Sequence, residues 1–407
     1  MRIRSITFFV NPFNPYNPEI FHAAESFLQV ARPAFVDAGY EVQSTRLASV
    51  PFPQLLPDSN PGSLVDYALQ LEKACDEAGF GYVSLGPALP AQLDSYDLIP
   101  EALAATRNAF FSGSMTAQQG EISLEAVRRC ASVIQRSSTI SQDGFANMRF
   151  ATLANVPAGS PFFPAAYHQG DQPCFALATE AADLAVNATT QASSLEEARR
   201  NLVSVMESHG RTISKLAREV EQQTGVKFNG IDFSLAPFPE EARSLGTAME
   251  RLGLPALGGH GSLAAAAFLA DSIDRAEFPR AGFSGLFLPV LEDATLARRV
   301  AEGSLQVTDL LLYSAVCGTG LDILPLPGDT SVEQLFAVLL DLASLSSRLG
   351  KPLTARLMPI PGKVTGELTK FDFEYFANSR VMDLRSAPLH GLLDGKDSIS
   401  LKPRVQQ

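Results

Sequence analysis

Short apolar stretches alternate with longer amphipathic ones along nearly the whole chain. Ile3–Val10 reads as a strand, and Asn17-Pro18 after it as an N-cap with proline at the first helical position. The helix opened there is expected to bend or restart at Pro33 and to end near Gly39. Tyr40–Leu47 reads as a strand, Ser63–Ala78 as a helix closed by Gly79, and Tyr82–Leu85 as a short buried strand. The alternation continues through Ala102–Arg107, Ala109–Phe111, Leu124–Gln135 and Phe150–Leu153.

The middle of the chain holds the clearest helix. Ser194 and Glu197 make a capping box, and Leu202, Val205, Met206, His209, Ile213, Leu216 and Val220 recur at helical spacing before Gly225. The strand Ile231–Leu235, an Ala-rich helix Ser262–Asp274 and the strand Gly285–Val290 follow. One helix is expected from about Ala294 to the glycine loop after Val316. Ser331–Leu349 reads as a helix capped by Thr330 with Glu333 at N3, and Leu353–Met358 and Phe371–Phe376 as the closing strands. Strands alternating with helices imply βαβ units and mainly parallel sheet. No repeat or Pro/Ser-rich linker divides the chain, so residues 1–393 read as one α/β domain and 394–407 as a polar, frayed tail.

Composition narrows the function. The chain has 407 residues, 46% hydrophobic and 19% charged, with a formal net charge of −12. That charge, with no basic run against it, argues against nucleic acid and anionic membranes as partners. No uncharged apolar run approaches the roughly 18 residues of a membrane span. Ile6–Val10 falls short of the roughly 7–15 residues of a signal-peptide core. Cys75, Cys130, Cys174 and Cys317 are widely separated, with no zinc-type spacing, and read as free thiols. The expected compartment is the cytoplasm.

Candidate chemistry sits in strand-ending loops, where parallel α/β folds gather ligands. Tyr313-Ser314-Ala315-Val316-Cys317-Gly318-Thr319-Gly320-Leu321-Asp322 sets a thiol between glycine-rich turns. Cys317 reads as a nucleophile oriented by Asp322, or as a buried small hydrophobe. Arg149 enters an apolar strand and needs an anionic partner if buried. Phe162-Phe163-Pro164-Ala165-Ala166-Tyr167-His168 reads as an aromatic wall ending in a general base, or as a surface loop. Asp232, Glu292, Asp293 and Asp372 stand at strand ends and suit a cation or an amine. Gly258-Gly259-His260-Gly261-Ser262 opens a helix as an anion site might, without P-loop spacing. Arg356 and Lys363 flank a Pro-rich strand exit as a carboxylate or phosphate clamp, with Asn378 and Ser379 beyond.

The blocks GFANMRF, FFPAAYH, GIDFSLAPFP, SGLFLPVLED, YSAVCGTGLDILPLPGD and ARLMPIPGK with FDFEYFANS resemble the family called domain of unknown function 711, also UPF0210 or PFL-like, over about residues 1–385. The resemblance implies a fold similar to pyruvate formate-lyase and other glycyl-radical enzymes. That fold is a β/α barrel of two parallel half-sheets packed antiparallel, with a central finger loop that would carry Cys317. It also implies a homodimer. Two departures matter: Ser379-Arg380-Val381-Met382-Asp383 lacks the radical glycine, and there is no adjacent Cys-Cys pair. No glycyl radical is expected, the cofactor is left open, and a divalent metal is the less favoured alternative.

Three readings follow. The first is a non-radical enzyme acting on a small carboxylated or amine-bearing metabolite inside the barrel. Cys317, Asp322, Asp232 and His168 would carry the chemistry, while Arg149, Tyr167, Ser314, Thr319, Arg356, Lys363, Asp372 and Asn378 bind the substrate. The second is a ligand-binding regulatory module on the same fold. The third is a hydrolase or lyase with a divalent metal on the carboxylates.

Overall fold

The computed structural model describes residues 1–56, 60–117, 120–316 and 318–404. Eleven strands are described: β1 (Arg2–Phe9), β2 (Thr45–Ala48), β3 (Tyr82–Ala88), β4 (Ala109–Ser114), β5 (Ile122–Ser123), β6 (Phe150–Ala154), β7 (Cys174–Glu180), β8 (Lys227–Asp232), β9 (Gly320–Pro327), β10 (Leu353–Ile360) and β11 (Ser398–Ile399). The described helices are α1 (Pro18–Asp37), α2 (Phe52–Leu55), α3 (Pro61–Glu77), α4 (Ile99–Ala105), α5 (Leu124–Ser138), α6 (Ala182–Gln191), α7 (Leu195–Thr224), α8 (Leu245–Arg251), α9 (Ser262–Arg275), α10 (Ala294–Ala301), α11 (Val307–Tyr313) and α12 (Val332–Leu349). No described helix is long and apolar enough to cross a membrane.

Nine strands form one mixed sheet in the order β8-β7-β1-β2-β3-β4-β6-β10-β9. β1, β2, β3, β4 and β6 run parallel to one another. β7 is antiparallel to β1 and parallel to β8, while β10 is antiparallel to β6 and parallel to β9. The outermost strands, β8 and β9, and Leu235 just past β8 meet the segment 280–290 through isolated parallel bridges: Ile231 with Arg280, Leu235 with Leu286, and Asp322 with Pro289.

The two sheet faces bury different things. Phe8, Leu47, Phe111 and Phe175 join the main core beneath the helices, whereas their neighbours Phe9, Ala48, Phe110 and Cys174 form a smaller cluster with Phe163 and Ala166. Alternation with period two sends successive side chains to opposite faces. Phe162 and Ala165 pack with Ala151, Leu153 and Phe287 in another small cluster. Residues 162–166 therefore line the inner face, opposite the helices.

Several expectations change. α1 runs as one helix through Pro33, whose ring lies inside an element that neighbouring packing holds together. The helix expected from Ala294 to Val316 is two, α10 and α11, separated at Gly303 with φ +80°. The cap of α12 moves by one residue, because Ser331 and Gln334 exchange the bonds of the capping box. Ser194 caps α7 as expected, but the Glu197 carboxylate binds Ser193. Phe371–Phe376 forms no strand; its rings cluster around Phe145 instead. Gly320–Pro327, expected as a loop, is the strand β9, paired with β10 on either side of a register shift at Asp322 and Ile323. The tail is docked, with β11 on β5 and the Arg404 amide on the Arg348 carbonyl.

Candidate functional site

Four strands turn charged side chains toward the inner face. On β2, Leu47 joins the main core, so Arg46 points the other way with Ala48. On β10, Ala355 and Leu357 face the main core and Arg356 lies between them. On β9, Leu321 and Ile323 do the same around Asp322. Arg4 sits on β1 at the register shift between Ile3 and Ser5. Glu292 follows the segment 280–290.

These groups make one network. Arg356 grips Asp322 through both Nε and Nη2, the latter at 2.7 Å, and its Nη2 lies 3.4 Å from Glu292 Oε1. Arg4 donates to Glu292 Oε2 at 2.6 Å. Asp322 is 0% exposed and Arg356 3%. Burial works against the Arg356 charge, but Asp322 and Glu292 more than offset it and its pKa rises. Glu292 is likewise disfavoured by burial, yet Arg4 and Arg356 hold its pKa below the ordinary value.

Arg46 differs. Its Nε donates to Ser44 Oγ at 2.9 Å, and among the described residues no carboxylate lies within ion-pair distance of it. Burial, followed by repulsion from Arg4, lowers its pKa to about 9. Its guanidinium lies 5.2 Å from the Phe163 ring centre, that of Arg4 4.9 Å from Phe287, and that of Arg356 5.3 Å from Phe162. Each of these distances is in the range of attraction to a ring face. The aromatic wall read in the sequence thus serves as a rack for guanidinium groups.

A cavity of about 90 Å³ opens on Arg4, Arg46, Arg356 and Glu292, walled by Tyr82, Phe110, Met148, Phe163, Phe373 and Tyr375. We call it the arginine mouth. A chamber of about 20 Å³ behind it shares Arg4 and Arg46 and adds Asp232, Ser234 and Thr319. Asp232 accepts from the Phe283 and Ser284 amides at 3.0 and 2.9 Å and from the Ser234 hydroxyl. Burial raises its pKa against those bonds. It fixes Ser284 at φ +42°, and Ile323 beside Asp322 has φ +48°. A β-branched residue in that region is strained by about 1–3 kcal/mol, and such strain gathers at working sites.

A wider cleft of about 820 Å³ lies at the carboxyl ends of β3, β4 and β6 and beside Pro51 after β2. Tyr167 and His168 line it, with the Tyr167 hydroxyl donating to the Val156 carbonyl at 2.9 Å. His168 is 3% exposed, and its Nε2 has no hydrogen-bond partner among the described residues. Burial lowers its pKa, partly opposed by Asp171, so the ring is neutral at pH 7.

The structure therefore brings Asp322 and Arg356 together, sets Asp232 and Thr319 in the adjoining chamber, and places Tyr167 and His168 in a different cavity. Arg149 donates to the Leu103 and Ala109 carbonyls at 2.6 and 3.1 Å and to Thr106 Oγ1 at 3.2 Å, so carbonyl oxygens take the place of the anion expected for it. Ser314 donates to the Leu310 carbonyl within its own helical turn. Asn378 closes its own loop by bonding Thr369 and the Phe371 backbone. Asp372 is exposed, and Lys363 sits on the turn after β10, lining neither cavity. Cys317 lies outside the described residues. Gly258 is forced by packing: a Cβ there would lie 1.7 Å from the Ser304 carbonyl oxygen. Among the described residues no three His, Cys, Asp or Glu side chains group as metal ligands.

Sequence reading missed Arg4 and Arg46, and it offered Glu292 to a cation or an amine, whereas Glu292 pairs with Arg4 and Arg356. The usable signal was an arginine flanked on both sides by strand residues, as in Ile3-Arg4-Ser5 and Thr45-Arg46-Leu47. Such an arginine faces either solvent or a lined interior.

A family model described as "Uncharacterised ACR (DUF711)" matches residues 1–378. A UPF0210 protein of Acetivibrio thermocellus is 30% identical over 378 residues, covering 88% of this chain and 82% of the relative. One from Pyrobaculum arsenaticum is 32% identical over 397 residues, covering 90% and 86%. One from Methanosarcina acetivorans is 31% identical over 353 residues, covering 82% and 75%.

Proposed function

This chain belongs to the DUF711 family of UPF0210 proteins, and from that premise we propose that it binds a small carboxylated metabolite at the arginine mouth, inside a barrel of the pyruvate formate-lyase kind. The barrel reading is supported by strand direction. The parallel group β1-β2-β3-β4-β6 is flanked by β7-β8 and β10-β9 running oppositely, and the segment 280–290 touches both outer strands.

The carboxylate reading rests on Arg46. Three arginines meet at the mouth, Glu292 answers one charge, and Asp322 answers another from behind Arg356. Asp232 is taken up by the Phe283 and Ser284 amides and the Ser234 hydroxyl, so one positive charge is left over, next to the guanidinium without an acid partner. A ligand carboxylate supplies the missing anion, and a guanidinium fork suits it in two-point contact. An amine in the same place would be repelled by all three arginines. The cavity volume limits the ligand to a few non-hydrogen atoms, and the apolar walls favour a short hydrocarbon part.

Calorimetric titration of the full chain with sodium propionate tests this. Saturable binding is expected, weakened at least about tenfold in Arg46→Met. Absence of saturable binding, or unchanged affinity in Arg46→Met, overturns the reading. A reaction at this site would use Cys317 as the thiol, close in sequence to Thr319 in the adjoining chamber. Iodoacetamide labelling of Cys317 that propionate suppresses supports an enzyme. Complete inertness of the thiol, with propionate still bound, leaves a binding module.

A further inference from the structure

We infer that Phe373 and Tyr375 are the wall that sets how long a carboxylate the arginine mouth accepts; the inference rests on the carboxylate reading of that site.

The mouth has two kinds of wall. Tyr82 and Phe110 stand on β3 and β4, and Phe163 packs on them from the inner face. Ring centres are 5.4 Å apart both from Tyr82 to Phe110 and from Phe110 to Phe163. Phe110 and Phe163 are buried in one cluster, so strand pairing and close packing fix these rings. Phe373 and Tyr375 come from outside the sheet. Beyond β10 the chain runs out and doubles back on itself. The Gly366 amide donates to the Val381 carbonyl and the Thr369 amide to the Ser379 carbonyl, both at 2.9 Å, with Leu368 facing Arg380 in an antiparallel bridge. Phe371 and Phe376 are buried and pack on Phe145, pinning the turn at both ends. The Ala377 amide donates at 2.6 Å to the carbonyl of Leu291, the residue before Glu292. Between the pins Phe373 and Tyr375 stay half-buried and line the mouth. The Tyr375 hydroxyl shares a hydrogen bond with the side chain of Gln43, which precedes β2 and lines the same cavity.

The walls also differ in what they already hold. The guanidiniums of the mouth lie against Phe162, Phe163, Tyr82 and Phe287, and among the described residues none lies over Phe373 or Tyr375. A ligand carboxylate belongs with Arg46, so its hydrocarbon end falls to the rings that carry no cation. The space in front of those two rings then limits the length of the chain. A wall carried on an excursion from the sheet can change its side chains without disturbing strand pairing, which suits a residue that selects among ligands.

Calorimetry of the full chain with sodium propionate and sodium hexanoate tests the assignment. The unaltered chain is expected to prefer propionate at least about tenfold. Phe373→Ala and Tyr375→Ala should each shift the ratio of the two affinities at least about fivefold toward hexanoate. Phe373→Leu, which keeps most of the bulk, should hold the unaltered ratio. Tyr375 stands apart from the Phe145 cluster and serves if Phe373→Ala does not fold. A ratio unchanged in both alanine variants, with propionate still weakened by Arg46→Met, overturns the assignment and leaves the carboxylate reading standing. An unaltered chain that takes hexanoate as well as propionate does the same. Loss of both acids in both alanine variants also overturns it, since the rings would then hold the charged end. Absence of propionate binding to the unaltered chain overturns the two readings together.

Discussion

The two cavities of this protein solve opposite problems. The arginine mouth is small, crowded with charge and almost entirely cross-braced, with each guanidinium stacked on a ring and two of the three paired with acids. The wide cleft has, among the described residues, one charged wall residue, a frame of prolines and a buried imidazole nitrogen without a partner. In the first, an excess cation marks the ligand; in the second, charge is nearly absent from the described walls. The difference teaches that a binding site is recognised by what its own residues fail to satisfy, more than by how many polar groups it collects.

The largest expected contrast is in stability. Asp322→Ala strips Arg356 of its fully buried partner and should destabilise the fold by about 3–5 kcal/mol, read by urea unfolding. Glu121→Gln at the cleft should leave the urea midpoint nearly unchanged. If Asp322→Ala is equally mild, the mouth is not cross-braced as described. A smaller effect of opposite sign is expected at Arg46. Arg46→Met removes a desolvated cation beside Arg4 and should raise the melting temperature while abolishing anion binding. A marked fall would mean that Arg46 holds the fold rather than a ligand.

The smallest effect concerns pH. Burial depresses the His168 pKa in the folded chain below 6.5, its ordinary unfolded value. The unfolded chain therefore takes up the proton first, so this contribution to stability is complete above about pH 6.5 and is lost as pH falls toward the folded pKa. His209 is depressed by burial too and acts in the same direction. His168→Gln should flatten the pH dependence of the urea midpoint below pH 6.5 without removing it. An unchanged slope would place the effect wholly elsewhere.

Much of the fold was legible in the hydrophobic pattern, because helices and strands here carry their own periodicities and caps. α7 and α5 could be placed from spacing alone. β9 could not: Pro325 and Pro327 read as a stiff loop, and only pairing with β10 along its inner side makes Gly320–Pro327 a strand. The reversal of direction at β7 and β10 also depends on partners far along the chain. The site divided in the same way. Asp322 stood out as the acid beside a thiol in a glycine-rich loop and Arg356 as a charge at a strand exit, and they meet. His168 stood out as well but belongs to another cavity, which spacing cannot reveal. Arg149 looked like a ligand-seeking cation until its carbonyl partners from residues 103 and 109 came into view. Arg4 and Arg46 were hidden inside apolar strands, since which face of a strand is lined is decided by topology.

The segment 280–290 has a consequence for how the molecule behaves in a crowd. β8 and β9 end the nine-strand order, and an open sheet would offer both as rows of free amides and carbonyls to any other chain. One irregular stretch meets both, with the Ala281 amide on the Ile231 carbonyl and the Val290 amide on the Asp322 carbonyl. Asp232 pins that stretch in place through two of its amides. A buried carboxylate in the chamber behind the mouth thus also guards the molecule against edge-to-edge aggregation.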